Sequence, residues 1–270
     1  MAYDAKAELA KVKEYYSEDK LQKRFSALIT GETNSGKTYL LRTCRKPIHV
    51  DSFDPGGTKC IRDLIKSGDV VVDTFFESED PYNPTAYAEW RKRVELRLQI
   101  GYFEQFGTYC IDSLTTFSDA VMNNQLNLKS RAGEKPLYNV DYTPQKIEIE
   151  NRIRQLMNLT CDFILTGHLE RIAKLKSIDK KGIRDEEVIY RLMITGKAVM
   201  TIPLLFDELY VLQGKGSNPR REMLIDSLGE YIARSRFKGS DNLGAVVQPN
   251  IKEFLKVAGL DWEDKSPLES

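Results

Sequence analysis

The chain has 270 residues, of which 41% are hydrophobic and 30% charged; 40 basic and 40 acidic side chains leave no net charge. This apolar share supports a sizeable core and excludes general disorder, and the length favours one large α/β domain with small appendages. The charge balance excludes a protein that coats nucleic acid through bulk charge, so any such binding must come from a local patch.

No stretch approaches the ~20 apolar residues that span a bilayer. The N-terminus, MAYDAKAELAKVKEYY, is charged throughout and lacks the apolar region of an export signal, so a cytoplasmic protein without membrane contact is expected. Cys44, Cys60, Cys110 and Cys161 stand far apart with no C-x-x-C pair, which reads as reduced thiols and not as a zinc site.

In chain order, residues 2–24 read as a charged helix with Leu9, Val12 and Tyr16 on one stripe. Either it packs on its own domain or it is an arm that docks on a neighbouring subunit. A core follows over residues 25–245. Its first strand is FSALIT (25–30), then a helix over 36–44, a strand IHVDSF (48–53) stopped by Asp54-Pro55-Gly56-Gly57, a helix over 59–66 and a strand over 70–76. A long helical stretch over 85–106 leads to the strand TYCID (108–112), a helix over 147–159 and the strand DFILT (162–166). Residues 204–212 and 230–234 are strand-like, whereas 169–197 and 213–222 read as polar loops. Residues 246–270 form a short helix (251–258) and an acidic tail. Strands alternating with helices predict βαβ units, hence a mainly parallel central sheet flanked by helices on both faces.

The sharpest motif is Gly31-Glu32-Thr33-Asn34-Ser35-Gly36-Lys37-Thr38, which fits G-x-x-x-x-G-K-[ST] between a strand and a helix. Its glycines let the backbone curl so that successive N–H groups point at phosphate oxygens, and the helix adds its positive dipole end. Residues 31–39, Tyr39 included, form the expected nucleotide-binding set, with Lys37 reaching the β- and γ-phosphates and Thr38 a Mg²⁺ ligand. Asp112, at the end of TYCID, is the second candidate for the magnesium; capping of the next helix is its other reading. Hydrolysis needs a carboxylate that orients water. Asp54, Asp51 and Glu77 all lie at or near strand ends, with Asp54 in the turn that reaches the rim of the sheet. His168, just after DFILT, is placed to sense the γ-phosphate, because ligands bind at the carboxyl ends of parallel strands.

The order of GETNSGKT, HVDSFDPGG, YCIDSLTTF, FILTGHLE, LLFDELYVL and YIARSRFKG resembles the RecA-like recombination ATPases, most closely the short phage-encoded nucleotide-binding or single-strand annealing type, over residues 25–240. The resemblance implies a RecA-like P-loop core that hydrolyses ATP with Mg²⁺. It places a catalytic carboxylate at Asp54 where the family has glutamate, a sensor at His168, and Arg234 and Arg236 as cations that reach the ATP of the adjacent subunit. It implies self-association into a filament or ring and single-stranded DNA as partner, with a single-strand-binding protein as an auxiliary.

The family's DNA-binding loops correspond to 123–143, with Lys129, Arg131, Lys135, Tyr138 and Tyr142, and to 169–197. Residues 169–184 hold six basic side chains (Arg171, Lys174, Lys176, Lys180, Lys181, Arg184) against two acidic ones, a local charge of +4. Such loops fit a sequence-tolerant grip on single strands, with tyrosines stacking on bases. Two other functions remain open: a helicase or helicase-loader motor, and a nucleotide-gated scaffold with little turnover, the latter suggested by the short side chain of Asp54.

Overall fold

The computed structural model describes residues 4–18, 25–138, 140–178, 184–215, 220–237 and 243–268. Strands β1 (Ser26–Gly31), β2 (Ile48–Ser52), β3 (Val70–Asp73), β4 (Thr108–Asp112), β5 (Asp162–Ile178) and β7 (Glu208–Lys215) pair in parallel in the order β3-β2-β4-β5-β1-β7. Strand β6 (Arg184–Leu192) pairs antiparallel with β5, and β8 (Arg220–Leu224) and β9 (Val246–Val247) extend the far edge antiparallel. The predicted α/β architecture, a mainly parallel central sheet flanked by helices, is the observed one.

The two-residue period of the strands sorts their side chains into two cores. Leu28, Tyr109, Ile111, Phe163 and Leu165 face helices α4 (Ala86–Gln99), α5 (Leu114–Leu128) and α6 (Tyr142–Leu156). Their neighbours Ala27, Ile29, Cys110 and Ile164 face the other layer, where α2 (Lys37–Leu40) and α8 (Ile251–Val257) supply Leu40, Phe254 and Leu255. Cys44, Cys110 and Cys161 are buried and Cys60 is exposed, and none of the four is in a disulfide among the described residues. Among the described residues no helix is long and apolar enough to cross a membrane.

One buried polar network fixes the first core. Asp51 is fully buried and accepts from Trp90 Nε1 and Arg97 Nη1, both at 2.9 Å, and from the Tyr109 hydroxyl at 2.6 Å; His49 Nε2 lies 2.9 Å away. Trp90 also packs edge-on against Phe117 with ring centroids 4.8 Å apart. Trp90→Ala removes a fully buried indole and leaves a buried carboxylate short of a donor, so a loss of about 3–5 kcal/mol in urea unfolding is expected. A loss under ~1 kcal/mol would mean that the layer is loosely packed.

Residues 261–265 are tied down under the sheet. Arg45 donates to the Glu263 carbonyl (3.0 Å) and pairs with Asp261, and the Lys265 N–H donates to the Lys46 carbonyl (2.8 Å). Arg45 lies 3.4 Å from Asp162, whose Oδ2 is buried without a partner among the described residues. Burial pushes the Asp162 carboxyl up from 3.8 to about 7, against the pull of Arg45. The folded chain therefore holds this proton more tightly than the unfolded chain, and stability falls as pH rises from 4 to 7. Asp162→Asn is expected to flatten that part of the curve of melting temperature against pH; an unchanged slope would assign the dependence elsewhere.

Several expectations are corrected. The stretch 169–197 is mainly an antiparallel hairpin and not a loop: β5 runs on through residue 178 and pairs with β6 from Leu169↔Leu192 to Ile178↔Arg184. The stretch 213–222 likewise carries the antiparallel pairing of β7 with β8, and residues 216–219 lie outside the described residues. Helix α6 starts at Tyr142 and not at 147, because Pro144 is tolerated in a first turn that lacks N–H partners. Residues 203–205 form a 3₁₀ turn ahead of β7, and residues 230–234 contribute only bridges, one of them Leu209↔Arg234. On α1 (Ala5–Glu18), Leu9 and Val12 are exposed, which speaks against the helix packing through that stripe on its own domain; the side chain of Tyr16 lies outside the described residues.

Candidate nucleotide site

The sheet order brings the carboxyl ends of β1, β4 and β5 side by side, and the motif residues collect there. The loop after β1 turns through positive φ at Asn34 (65°) and Gly36 (100°), and α2 starts at Lys37. Gly31 admits no side chain: a Cβ there would stand 2.3 Å from Ser35 Oγ and 2.6 Å from the Leu212 carbonyl. Lys37 Nζ donates to the carbonyls of Gly31 and Glu32, each at 3.0 Å. Burial lowers the Lys37 pKa, while Asp112 and Asp54 act in the opposite direction.

Thr38 Oγ1 donates to Asp112 Oδ2 at 2.7 Å, and Thr166 on β5 donates to the other oxygen of the same carboxylate. Burial raises the Asp112 pKa, partly opposed by these two hydroxyls and by Lys37. A hydroxyl beside a buried carboxylate is a hard-oxygen donor pair of the kind magnesium takes alongside phosphate oxygens. Ser35 Oγ, buried without a partner among the described residues, is one more hydroxyl turned into the loop. The residues thus fit a Mg²⁺–nucleotide, although no group of three or more His, Cys, Asp or Glu side chains gathers as a self-sufficient metal site among the described residues. Asp112 does not cap α5; Ser113 stands at that position.

Of the three candidate carboxylates, Asp54 alone lies among the motif residues. Its Oδ1 accepts from Ser113 Oγ (2.9 Å) and Thr116 Oγ1 (2.5 Å), and its Oδ2 lies 3.0 Å from His168 Nε2. Burial would raise the Asp54 pKa, but hydrogen bonds from His168, Thr116 and Ser113 outweigh it and hold the carboxyl below its ordinary value. Asp51 belongs to the buried network. Glu77 accepts from Ser52 Oγ (2.7 Å) and the Gly56 N–H (2.9 Å) and so clamps the turn that carries Asp54.

His168 joins the two halves. Its Nδ1 lies 3.2 Å from Lys37 Nζ. An ammonium can only donate, so Nδ1 accepts and the ring proton sits on Nε2, where it is donated to Asp54. A chain Lys37–His168–Asp54 thus crosses the mouth of the loop. Sequence reasoning missed Ser113, Thr116 and Thr166, although hydroxyls at the carboxyl end of TYCID-SLTT and of DFILT were a usable signal.

The other expected site residues lie elsewhere. Lys129 and Arg131 both pair with buried Asp141, at 2.6 and 2.8 Å, and Arg131 also meets Glu134 at 2.7 Å; these cations brace their own loop. Tyr138 is exposed beside Tyr142. On the hairpin Arg171 is exposed, and the register sets Lys174 opposite Glu187. The side chains of Lys174, Lys176 and Arg184, and the whole of Lys180 and Lys181, lie outside the described residues. Counted over 169–192 the hairpin has seven basic and five acidic residues, so the +4 of 169–184 falls to +2 once its second strand is included. Arg234 donates to the carbonyls of Pro203 (3.1 Å) and Phe206 (2.9 Å), and Arg236 pairs with Asp207 at 2.7 Å. Both stand at the amino end of β7, the opposite end of the sheet from the phosphate loop of the same chain.

A family model described as an AAA domain matches residues 23–237. A solved KaiC-like protein of the hyperthermophilic archaeon Pyrococcus horikoshii is similar at 14% identity, covering 78% of this chain and 81% of that one, with a TM-score of 0.41. No curated protein matches. The family match spans the phosphate loop, Asp54, Asp112 and His168, and the chain accordingly belongs to the AAA domain family of P-loop ATPases.

Proposed function

We propose that the protein is a magnesium-dependent ATPase that acts on single-stranded DNA and uses the nucleotide state to reset its β5–β6 hairpin, in support of annealing or strand exchange. The observation that carries this reading is the position of His168. It touches Lys37 and Asp54, and it is also the last residue of β5 in register with β1 before the strand continues as the hairpin. A γ-phosphate competes with His168 for Lys37. His168 then loses its acceptor contact, and the strain falls on the first residues of the hairpin.

Thr38 and Asp112 are the residues that would hold magnesium, which when bound offsets phosphate charge. The loop amides and Lys37 stabilise the charge that develops in transfer. Asp54 orients or deprotonates the attacking water. Arg234 and Arg236 act across a subunit interface in this reading, after exchanging their present partners for the neighbour's phosphates, and a filament or ring would supply that neighbour.

The DNA arm is tested by phosphate release with and without single-stranded DNA. Stimulation that weakens between low and moderate salt is expected, because each phosphate contact releases counterions. Arg171→Glu combined with Lys174→Glu and Lys176→Glu is expected to abolish the stimulation and retain the DNA-free rate. Stimulation that survives the triple variant would exclude the hairpin as the DNA contact, and a wild-type rate indifferent to DNA would count against the DNA reading altogether.

A second reading, a nucleotide-gated scaffold with little turnover, has one observation in its favour. Both oxygens of Asp54 are already engaged and its pKa is depressed, which makes it a weak base. Tight ATP binding with negligible phosphate release under every condition would select it.

A further inference from the structure

A cleft of about 820 Å³ opens at the end of the phosphate loop, where Gly36 and Tyr39 stand against Leu212 of β7 and Arg221 of β8. Its volume lies in the range of small-molecule sites. A nucleotide whose phosphates rest on the loop has its sugar and base to place in adjoining space. The lining suits a flat ring with polar edges: Leu212 and Pro249 are apolar, Tyr39 is aromatic, and Gln248 offers an amide.

Arg221 is set apart from the other cations here. Its Cζ lies 5.0 Å from the centre of the Tyr39 ring, and a Cβ added to Gly36 would stand 2.7 Å from its Nε. The guanidinium therefore rests on the loop backbone at the mouth of the cleft, and Gly36 is needed for that approach as well as for its own positive φ. Arg42 also lies over Tyr39, with Cζ 4.8 Å from the ring centre, but it is fixed by Asp63 and by the Cys60 carbonyl at 3.1 Å. Among the described residues no carboxylate pairs with Arg221. Tyr39 thus has one cation tied to a carboxylate and one, Arg221, whose contact among the described residues is the aromatic face, which a second ring could replace.

We infer that this cleft takes the nucleoside of the bound nucleotide and that Arg221 positions the base by stacking its guanidinium on the ring. The inference rests on the nucleotide site proposed above. It is tested by calorimetric binding of ADP and of inorganic tripolyphosphate, each with magnesium, to the full chain and to Arg221→Ala, Arg221→Lys and Lys37→Ala. Loss of one stacked cation is expected to weaken ADP about ten-fold. Tripolyphosphate, which has no ring, should bind Arg221→Ala as it binds the wild type. Arg221→Lys should resemble Arg221→Ala for ADP, because an ammonium has no planar face; should the alanine variant fail to fold, the lysine variant carries the comparison. Equal weakening of both ligands would overturn the inference by making Arg221 a phosphate contact, and unchanged ADP binding would overturn it by leaving the cleft without a role. Failure of the underlying site is separately visible: Lys37→Ala binding tripolyphosphate as well as the wild type does would remove the phosphate loop, whatever Arg221 does.

Discussion

Lys37→Ala is expected to lower phosphate release from ATP by about 10²–10³-fold, the scale on which one preorganised charge-stabilising donor contributes to such a step. Among the described residues the ammonium is the one cation held inside the loop, bonded to the carbonyls of Gly31 and Glu32 and next to His168. Removing it takes one donor from each carbonyl (that of Glu32 still accepts from the Ser35 N–H at 3.2 Å) and leaves the His168 Nδ1 without the ammonium, so ATP binding should weaken along with turnover. Lys37→Arg should not restore activity, because the pocket is buried and a guanidinium is larger. A rate within about three-fold of wild type would place hydrolysis outside this loop.

Asp54→Asn is expected to cut turnover by about 10²–10⁴-fold, the range ascribed to a general base, with nucleotide affinity largely kept. The amide can still accept from Ser113 and Thr116 through its oxygen, but its nitrogen then faces His168 Nε2, donor against donor. The ring proton would have to move to Nδ1, where it meets the ammonium of Lys37. The substitution thus removes the base and also breaks the chain that links Lys37 to Asp54. Single-turnover phosphate release beside equilibrium ADP binding separates the two effects. An unaltered rate would make Asp54 a turn residue only, held by the clamp that Glu77 provides.

The phosphate loop, the end of TYCID at Asp112 and the succession of strands and helices along the core were legible in the sequence because each depends on local pattern: a glycine-rich turn between strand and helix, and apolar runs ending in a polar residue; the order β3-β2-β4-β5-β1-β7 across the sheet was not. The choice among Asp51, Asp54 and Glu77 was not legible. All three lie at or near strand ends, and only the packing of α4 shows that Asp51 is consumed by Trp90, Tyr109 and Arg97 on the far face of the sheet. The basic stretch after His168 read as a loop and not as a hairpin for a related reason. Read linearly it is a charged loop; folded, it faces the acidic run Asp185-Glu186-Glu187 across a hairpin, and cross-strand pairing is invisible to a count of charges along the chain. Lys129 and Arg131 likewise look free until Asp141, ten or more residues on, turns back to meet them. Arg221 was overlooked because its role depends on β8 lying beside β7 at the loop mouth, which no local motif announces.

In the function proposed above, His168 transmits the nucleotide state from Lys37 and Asp54 into the β5–β6 hairpin. Amide hydrogen exchange over residues 169–178 and 184–192 tests it directly, with ADP and with a non-hydrolysable ATP analogue bound, in the wild type and in His168→Ala. A clear difference in hairpin protection between the two nucleotides is expected in the wild type, and the loss of that difference in His168→Ala, with protection of β1 unchanged. Identical hairpin exchange with both nucleotides in the wild type, or a difference that survives in His168→Ala, would contradict it.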